Sequence, residues 1–251
     1  MTMSEPTAML FALTTPHPSL TEDKFNDWYD TRHAPSRAAC PGVQSVSRFV
    51  VDDTAESKRD GVFGTDYGRS PGLWTYLAMY ELANEDALNT AEYRKAREED
   101  GDDESRMFDF LSRRVYKLLS NKTRSDYADF GASGKTRYMM AVALEPDAAT
   151  GLTAQDFNEW YEQEHISMLS KCPGWLRSSR WELMDARDPR TWEEQKGIAR
   201  YLALHEWEDA DAVLTSPELK AAMATPWRES TVKRTDQRTR EMRLLRLWKQ
   251  F

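Results

Sequence analysis

The sequence has little of what secreted, membrane or disulfide-stabilised proteins commonly contain. Its 251 residues include only two cysteines, Cys40 and Cys172, too few for a disulfide framework. This favours a reducing compartment. No apolar run approaches the roughly 20 residues that span a bilayer. The N-terminal MTMSEPTAML also lacks the basic segment and apolar core of a secretory signal. We therefore expect a cytoplasmic protein that does not bind a membrane.

Basic charge and the common cofactor motifs are also scarce. The chain carries 34 Lys and Arg against 42 Asp and Glu, a formal net charge of −8. Nucleic-acid binding needs a basic surface, so this class of partner is disfavoured. The patterns GxxxxGK(S/T), GxGxxG, GxSxG and HExxH do not occur. We expect no nucleic-acid partner, no cofactor and no metal, and a small molecule as the ligand.

The sequence does contain a long internal repeat. Residues 20–49, LTEDKFNDWYDTRHAPSRAACPGVQSVSRF, align without a gap on residues 152–181, LTAQDFNEWYEQEHISMLSKCPGWLRSSRW. TYLAMYEL (75–82) matches RYLALHEW (200–207), and RVYKLL (114–119) matches RLLRLW (243–248). A period near 130 residues is far longer than a solenoid unit. The chain is therefore predicted to contain two copies of one domain, 1–125 and 126–251.

Each copy is predicted to follow the order βαββαβ, the ferredoxin-like arrangement. In the first copy, apolar MLFALTTP is a strand, and a helix with Phe25, Trp28, Tyr29 and His33 on its periodic positions ends near Pro35. Such a unit covers one face of its sheet with helices and must bury the other face elsewhere. We expect an α+β fold in which the two copies pack sheet to sheet as a pseudo-symmetric barrel. This is an intramolecular pseudo-dimer, and a further homodimer is left open.

Three connecting segments carry further expectations. The acidic run EEDGDDES (98–105) is predicted to be a solvated loop. The glycine-rich segment 52–72 could cover a pocket as a lid. Residues 120–136 are expected to connect the two copies.

The repeated residues resemble the dimeric α+β barrel superfamily, and within it the EthD-like group. The resemblance rests on Trp28-Tyr29-x-x-x-His33 with Pro41-Gly42 and Arg48, and on Trp160-Tyr161-x-x-x-His165 with Pro173-Gly174 and Arg180. It covers most of the chain, once per copy. The superfamily includes dehydratases, cyclases, isomerases, monooxygenases, haem enzymes and proteins without known activity. The resemblance thus implies the fold without selecting one activity.

The repeated histidines have two interpretations. His33 and His165 close a helical stripe with Tyr29 and Tyr161, so they could lock helix to turn through the last carbonyls. Alternatively, each imidazole could act as a general acid or base at a pocket, because its ordinary pKa lies near working pH.

The third strand of each copy supplies polar aromatic residues. Tyr76 and Tyr80 share one face of the strand, and Tyr201 and His205 occupy the equivalent face in the second copy. If the opposite Leu/Met face meets the helices, this face lines the barrel interior. Tyr80 and His205 are then equivalent positions with different chemistry. The other interpretation is a polar aromatic residue satisfied by an internal hydrogen bond.

Two arginines complete the set of candidates. Arg48 and Arg180 stand on equivalent strands and could orient an enolate, phenolate or carboxylate by charge-assisted hydrogen bonds. The alternative is an ion pair with an acidic residue of the first helix. The candidate catalytic residues are therefore His33, His165, His205 and Tyr80. The candidate substrate-binding residues are Arg48, Arg180, Tyr76, Tyr201, Tyr29 and Tyr161.

Three functions fit these residues. The leading hypothesis is a cofactor-independent lyase or dehydratase, cyclase or isomerase that acts on a small aromatic or polyketide-like molecule. A histidine would remove a proton beside a carbonyl, and an Arg or Tyr would stabilise the oxyanion. The second is a haem-binding barrel enzyme with one histidine as axial ligand. The third is a non-catalytic small-molecule-binding accessory protein.

Overall fold

A computed structural model describes residues 5–52, 74–127, 137–189 and 191–251, with the side chains of 102–105 left out. The first half contains four strands: β1 (Ala8–Pro16), β2 (Val43–Val51), β3 (Tyr76–Leu82) and β4 (Phe108–Thr123). The second half contains β5 (Tyr138–Leu144), β6 (Trp175–Arg187), β7 (Tyr201–Trp207) and β8 (Glu241–Gln250). No helix in the described part of the chain is long and apolar enough to cross a membrane.

Helices connect the strands in the predicted order. In the first half they are α1 (Glu22–Trp28), a π-helical turn (Tyr29–His33), α2 (Ala34–Ala38), a 3₁₀ turn (Glu85–Asn89) and α3 (Ala91–Met107). The second half has a 3₁₀ turn (Ala148–Thr150), α4 (Ala154–Trp160), a π-helical turn (Tyr161–His165), α5 (Ile166–Leu169), α6 (Ala210–Leu214), α7 (Pro217–Met223) and α8 (Pro226–Lys233). Thr21 caps α1 by accepting from the Lys24 N–H, and Thr153 forms a capping box at α4.

The helix after β1 does not end near Pro35, so that prediction is wrong. It continues through the π turn, where the Ala34 N–H donates to the Tyr29 carbonyl, and into α2. Pro35 lies in the first turn of α2, where a missing N–H is tolerated. The second half repeats the π turn without a proline, since the Ile166 N–H donates to the Tyr161 carbonyl. Each repeated histidine is the last residue of such a turn.

The eight strands form one closed antiparallel barrel in the order β1-β3-β2-β8-β5-β7-β6-β4. Within each half the order is that of a ferredoxin-like sheet. The halves join where β2 pairs with β8 and where β4 pairs with β6. The predicted α+β barrel of two ferredoxin-like units is confirmed. The boundary between residues 125 and 126 stays a prediction.

The middle of the barrel interior is apolar, and the tyrosine and histidine face of β3 and β7 does not line it. Leu77, Met79, Leu202 and Leu204 point inward and pack with Phe11, Trp181 and other apolar side chains from all eight strands. Tyr76, Tyr80, Tyr201 and His205 face the helices instead. The expectation was wrong because alternation defines two faces without saying which one is enclosed. An eight-stranded barrel has just enough interior for packed side chains, and the apolar face fills it.

The acidic run 98–105 is not a solvated loop, because it forms the C-terminal turns of α3. Within it, Asp100 is only 2% exposed, for a reason that appears at the site below. Apart from residue 52, the proposed lid 52–72 lies outside the described residues. The connecting segment begins later than expected, since β4 continues to Thr123, and its remainder from 128 to 136 also lies outside.

A buried network of charges joins the two halves at one end of the barrel interior. Glu206, fully buried, accepts from Arg177 Nη2 at 2.7 Å, and Arg137 Nε lies 3.1 Å from its other oxygen. Arg177 also donates to Glu81 of the first half at 2.5 Å, and Arg137 donates to Ser47 Oγ at 3.0 Å. Each guanidinium therefore bridges the halves. Charges buried in this way are stable only as a complete set.

Replacing Glu206 by Gln should lower the free energy of unfolding by about 3 kcal/mol, because both arginines then lose a buried anion. Urea unfolding followed by far-UV circular dichroism measures this. Glu229→Gln is the matched control, since Glu229 pairs with Lys233 on the surface and the variant should keep the wild-type stability. Equal stability of the two variants would show that the network does not hold the barrel together.

Candidate functional site

In the first half the site is built around His33 at the end of the π turn. Its ring lies on Trp28, with centroids 4.7 Å apart. His33 Nδ1 is 3.0 Å from Asp100 Oδ2, and Arg37 Nη1 donates to the same oxygen at 2.7 Å. Arg32 Nε lies 3.2 Å from the other carboxylate oxygen. Asp100 on α3 therefore holds a histidine and two arginines of the preceding helical segment.

The charges around His33 determine its protonation. Burial lowers the pKa of His33 to about 4, although the hydrogen bond to Asp100 acts in the opposite direction. Burial raises the pKa of Asp100, but the His33 hydrogen bond and the Arg37 charge outweigh it, so the pKa lies below its ordinary value. At neutral pH, Asp100 is thus a carboxylate, and His33 Nδ1 carries the hydrogen between them. Nε2 is then the basic nitrogen of the ring.

A cavity of about 50 Å³ lies beside His33, between the helices and the sheet. Tyr29 and Tyr80 line it, with their hydroxyl oxygens 3.3 Å apart, and burial raises the pKa of Tyr80 well above its ordinary value. Tyr80 is therefore a protonated phenol at neutral pH. The remaining polar and charged lining comes from Arg37, Tyr93, Arg97, Arg113 and Trp192.

Trp192 reaches this first-half cavity from the segment between β6 and β7 of the second half. Its indole lies 4.2 Å from the Arg97 guanidinium and 5.9 Å from that of Arg113. The backbone of Trp192 adopts φ +60°, a left-handed conformation that is uncommon outside glycine. The side chain is 39% exposed. The mouth of the cavity is thus a basic and aromatic rim assembled from both halves.

The second half places His165 and His205 on a separate cavity of about 30 Å³. His165 stacks on Trp160 with centroids 4.6 Å apart, whereas the ring of His33 is tilted against Trp28. His205 lies 6.0 Å from His165 between centroids and contacts Ser178 Oγ through Nδ1 at 3.0 Å. The other lining is largely apolar: Met140, Val142, Leu144, Trp160, Tyr161, Leu169, Trp207, Leu219, Met223, Arg228, Val232 and Met242.

Both histidines of this cavity are held neutral. Burial lowers the pKa of His205 to about 3, helped by the charge of Arg180. Burial also lowers the pKa of His165 well below its ordinary value, with further contributions from His205 and Arg228. The charged groups that act on the two rings are cations. Protonation is therefore opposed more strongly here than at His33, which has Asp100.

The structure brings some of the predicted site residues together and leaves others apart. His33, Tyr29 and Tyr80 share one cavity, and His165, Tyr161 and His205 share the other. Arg48, Arg180, Tyr76 and Tyr201 line neither histidine cavity. Their predicted role in substrate binding stays a prediction.

Those four residues form a second, repeated arrangement beneath the first helix. Arg48 pairs with Asp30, donates to Asn26 Oδ1 at 2.9 Å and lies 4.1 Å from the Tyr29 ring. Arg180 lies 3.5 Å from Glu162 and 4.2 Å from the Tyr161 ring. These are the ion pairs with the first helix that the sequence offered as the alternative.

Sequence reasoning missed several residues of both cavities. In the first half they are Asp100, Arg37, Arg97, Arg113 and Trp192, and in the second Ser178 and Arg228. The alignment of the repeats held a signal for two of them, because a polar residue in one copy aligns with an apolar residue in the other. Arg37 aligns with Leu169, and Ser178 aligns with Val46. No sequence signal marked Asp100, which is buried within a charged run, or Trp192, which reaches the other half of the chain.

No protein-family model and no curated protein matches the sequence. Solved structures do match its fold. The chain is similar to an anthrone oxidase-like protein, with 13% identity and a TM-score of 0.60 over 99% of this chain and 93% of the other. It is also similar to a monooxygenase-like protein from Fusobacterium nucleatum, with 10% identity and a TM-score of 0.55 over 98% of this chain and 94% of the other. A third similar structure is a DypB variant from Rhodococcus jostii in complex with heme, with 11% identity and a TM-score of 0.54 over 98% of this chain and 94% of the other. The chain thus has the dimeric α+β barrel fold.

The haem hypothesis can be tested against the cavities. His33, His165 and His205 could each offer a ring nitrogen to an iron. However, cavities of about 50 and 30 Å³ hold only a few water molecules, whereas ligand pockets for large organic groups measure roughly 300 Å³ or more. His165 is also covered by Trp160. Neither histidine cavity fits a porphyrin. Within the described ranges, no three His, Cys, Asp or Glu residues are grouped as metal ligands.

The lowered histidine pKa values predict that the folded protein becomes less stable as the pH is lowered. The unfolded chain binds protons on its histidines near pH 6.5, whereas the folded chain protonates His33 only near pH 4 and His205 near pH 3. The free energy of unfolding should therefore fall by up to about 1.4 kcal/mol per pH unit for each such histidine below pH 6.5. Urea unfolding between pH 7 and 5 measures the slope, which His33→Gln and His205→Gln should each reduce. Unchanged slopes would contradict the assignment.

Haemin should not bind at His33, His165 or His205. One equivalent added to the purified protein should give the same Soret band in the wild-type protein and in His33→Ala and His165→Ala, because neither of these two cavities has room for it. An absorbance titration measures this. A saturable shift that His33→Ala or His165→Ala removes would show that a cavity opens for haem.

Proposed function

We propose that this chain is a cofactor-independent acid–base enzyme of the lyase or dehydratase, cyclase or isomerase class. Its substrate is a small aromatic or polyketide-like carbonyl compound, and its site is the first-half cavity. The observation that carries the proposal is the 3.0 Å contact between His33 Nδ1 and the buried carboxylate of Asp100, beside a cavity with a protonated tyrosine and an arginine rim.

His33 is the proton acceptor in this proposal. A general base must be neutral before reaction and tolerable as a cation afterwards. His33 meets the first condition because of its burial, and Asp100 meets the second by lying against Nδ1. Within the described ranges no such carboxylate acts on His165 or His205, since only cations add to the effect of burial on them. The first half is therefore the better acid–base site.

Tyr80 and Arg113 are suited to the negative charge that forms on the substrate oxygen. Removing a proton from the carbon beside a carbonyl converts the carbonyl into an enolate. Tyr80 remains a phenol and can donate to that oxygen, and Arg113 is a cation only 15% exposed on the same cavity. The proton on His33 then returns to another carbon in an isomerisation, or to a departing hydroxyl, which leaves as water.

The basic and aromatic rim is consistent with a planar, electron-rich substrate. Trp192 offers an indole face, and Arg97 and Arg113 favour an oxygen-bearing or anionic substituent. The ligand must displace part of this rim, because the enclosed volume is only about 50 Å³. The similarity to an anthrone oxidase-like protein and the EthD-like residues support a polycyclic ketone such as anthrone as the first substrate to test.

A cytoplasmic location is part of the same proposal. Cys40 and Cys172 are both free thiols in buried positions. They fit a compartment in which thiols stay reduced.

Proton exchange tests the proposal without knowledge of the final product. In D₂O the protein should catalyse incorporation of deuterium beside the carbonyl of anthrone or 2-tetralone, followed by ¹H NMR. His33→Gln should slow this exchange by about 10²–10⁴-fold, the usual contribution of a general base. Asp100→Asn should slow it by about 10²-fold and change the pH profile, because the imidazolium loses its counter-ion.

Glu99→Gln is the matched control, since Glu99 precedes Asp100 on α3 and its side chain is 61% exposed. It should retain the wild-type rate and melting temperature. Wild-type exchange rates in a correctly folded His33→Gln variant would refute the assigned base. No exchange above background with either ketone in the wild-type protein would favour a non-catalytic binding protein.

A further inference from the structure

The second-half cavity differs from the first by residue differences at neighbouring positions. Val46 and Tyr80 are cross-strand partners on β2 and β3, and their equivalents Ser178 and His205 are partners on β6 and β7. Leu169 replaces Arg37 at the cavity wall. The second half thus has leucine at the position of Arg37 and a serine–histidine pair at the positions of Val46 and Tyr80.

The hydrogen bonds of Ser178 fix the tautomer of His205. Trp175 Nε1 donates to Ser178 Oγ at 3.0 Å, and Ser178 Oγ lies 3.0 Å from His205 Nδ1. Ser178 is fully buried, so its own hydroxyl hydrogen needs an acceptor. Nδ1 of His205 is the acceptor within reach. The hydrogen of this neutral ring is therefore on Nε2.

That Nε2–H has no hydrogen-bond partner within the described part of the chain, and neither does Nδ1 of His165. The two residues are only 2% and 6% exposed. The lining of this cavity also includes Trp160 and Trp207, whose indole nitrogens have no partner in the described part of the chain. Unpaired buried polar groups are costly, so their concentration at one cavity indicates that a ligand or water satisfies the two histidine nitrogens. The corresponding groups of the first half are paired, since His33 contacts Asp100 and Tyr80 contacts Tyr29.

The spacing of the rings fits a single oxygen between them. A ring nitrogen lies about 1.1 Å from its centroid and a hydrogen bond spans about 2.9 Å, so an oxygen bridging both rings at a near-tetrahedral angle separates the centroids by roughly 6–6.5 Å. The observed separation is 6.0 Å. His205 can donate to such an oxygen, and His165 can accept a hydrogen from it. A hydroxyl group has both functions.

We propose that the second-half cavity is a binding site for a small phenol, whose hydroxyl bridges His205 and His165. Both rings are neutral and the nearby charges are cations, which excludes a cationic ligand and suits an acidic hydroxyl. The apolar walls suit an aromatic ring. Met140, Met223 and Met242 line the cavity, and flexible thioether side chains can move to admit a ring larger than the present 30 Å³. This site is separate from the proposed reaction at His33.

Titration with 4-fluorophenol and 4-fluorotoluene, followed by ¹⁹F NMR, tests the proposal. The two probes have similar shapes, but only the phenol can bridge the histidines. The wild-type protein should bind 4-fluorophenol about tenfold more tightly, the equivalent of one good hydrogen bond. His205→Phe should bring the two dissociation constants within about twofold of each other. His33→Gln, the control in the other half, should leave the preference unchanged.

Ser178→Val provides a second variant, because it introduces the residue found at the equivalent first-half position and leaves both cavity histidines in the sequence. It should weaken the preference for the phenol, because His205 Nδ1 loses its contact with the Ser178 hydroxyl and the ring hydrogen is no longer fixed on Nε2. In the wild-type protein, ¹⁵N NMR should show His205 Nε2 protonated and shifted by 4-fluorophenol, which keeps the test decisive if a variant does not fold. Equal affinity for both probes, or no binding at millimolar concentration, would overturn the proposal and leave a structural water between the rings. Loss of binding in His33→Gln would place the site elsewhere.

Discussion

The closure of two sheets into one barrel determines where chemistry can occur in this molecule. Each half has helices on one face of its sheet and must bury the other, and the pairing of β2 with β8 and β4 with β6 encloses both uncovered faces together. The middle of the enclosed space is filled by apolar side chains from all eight strands. The charged side chains that share these inward-facing positions, such as Glu206 and Arg177, pair with one another. His33, His165 and His205 lie instead in the outer layers, between each sheet and its own helices.

Within those layers the repeated motif has a constant and a variable part. The constant part is a π turn that ends at a histidine seated on a tryptophan, with centroids 4.7 Å apart in one half and 4.6 Å in the other. The variable part is the partner of that histidine. A carboxylate from α3 reaches His33, whereas a second imidazole from β7 approaches His165. The repeat positions an imidazole, and the surrounding elements decide what it can do.

Much of the fold could be predicted from the sequence because it depends on periodicity and on the repeat itself. The alignment of Phe25–Arg48 with Phe157–Arg180 was sufficient for the order of elements and for the barrel. The face of β3 that points inward was not predictable, since both faces carry large apolar or aromatic groups. Asp100 was hidden in an acidic run that resembles a solvated loop, and Trp192 reaches the other half only through the tertiary structure. Long-range contacts of this kind leave no local pattern.

The two cavities cannot perform the same chemistry, for an electrostatic reason. Proton acceptance creates an imidazolium, which Asp100 stabilises in the first half, while Arg180 and Arg228 oppose it in the second. Hydrogen bonding to a neutral hydroxyl needs no charge, so the second half retains that capacity. Within the described part of the chain no counterpart of Asp100 stabilises a cation beside His165 and His205, and Ser178 with His205 supplies a fixed donor instead. A duplicated fold can thus keep one histidine in place and separate proton transfer from ligand binding by changing only its neighbours.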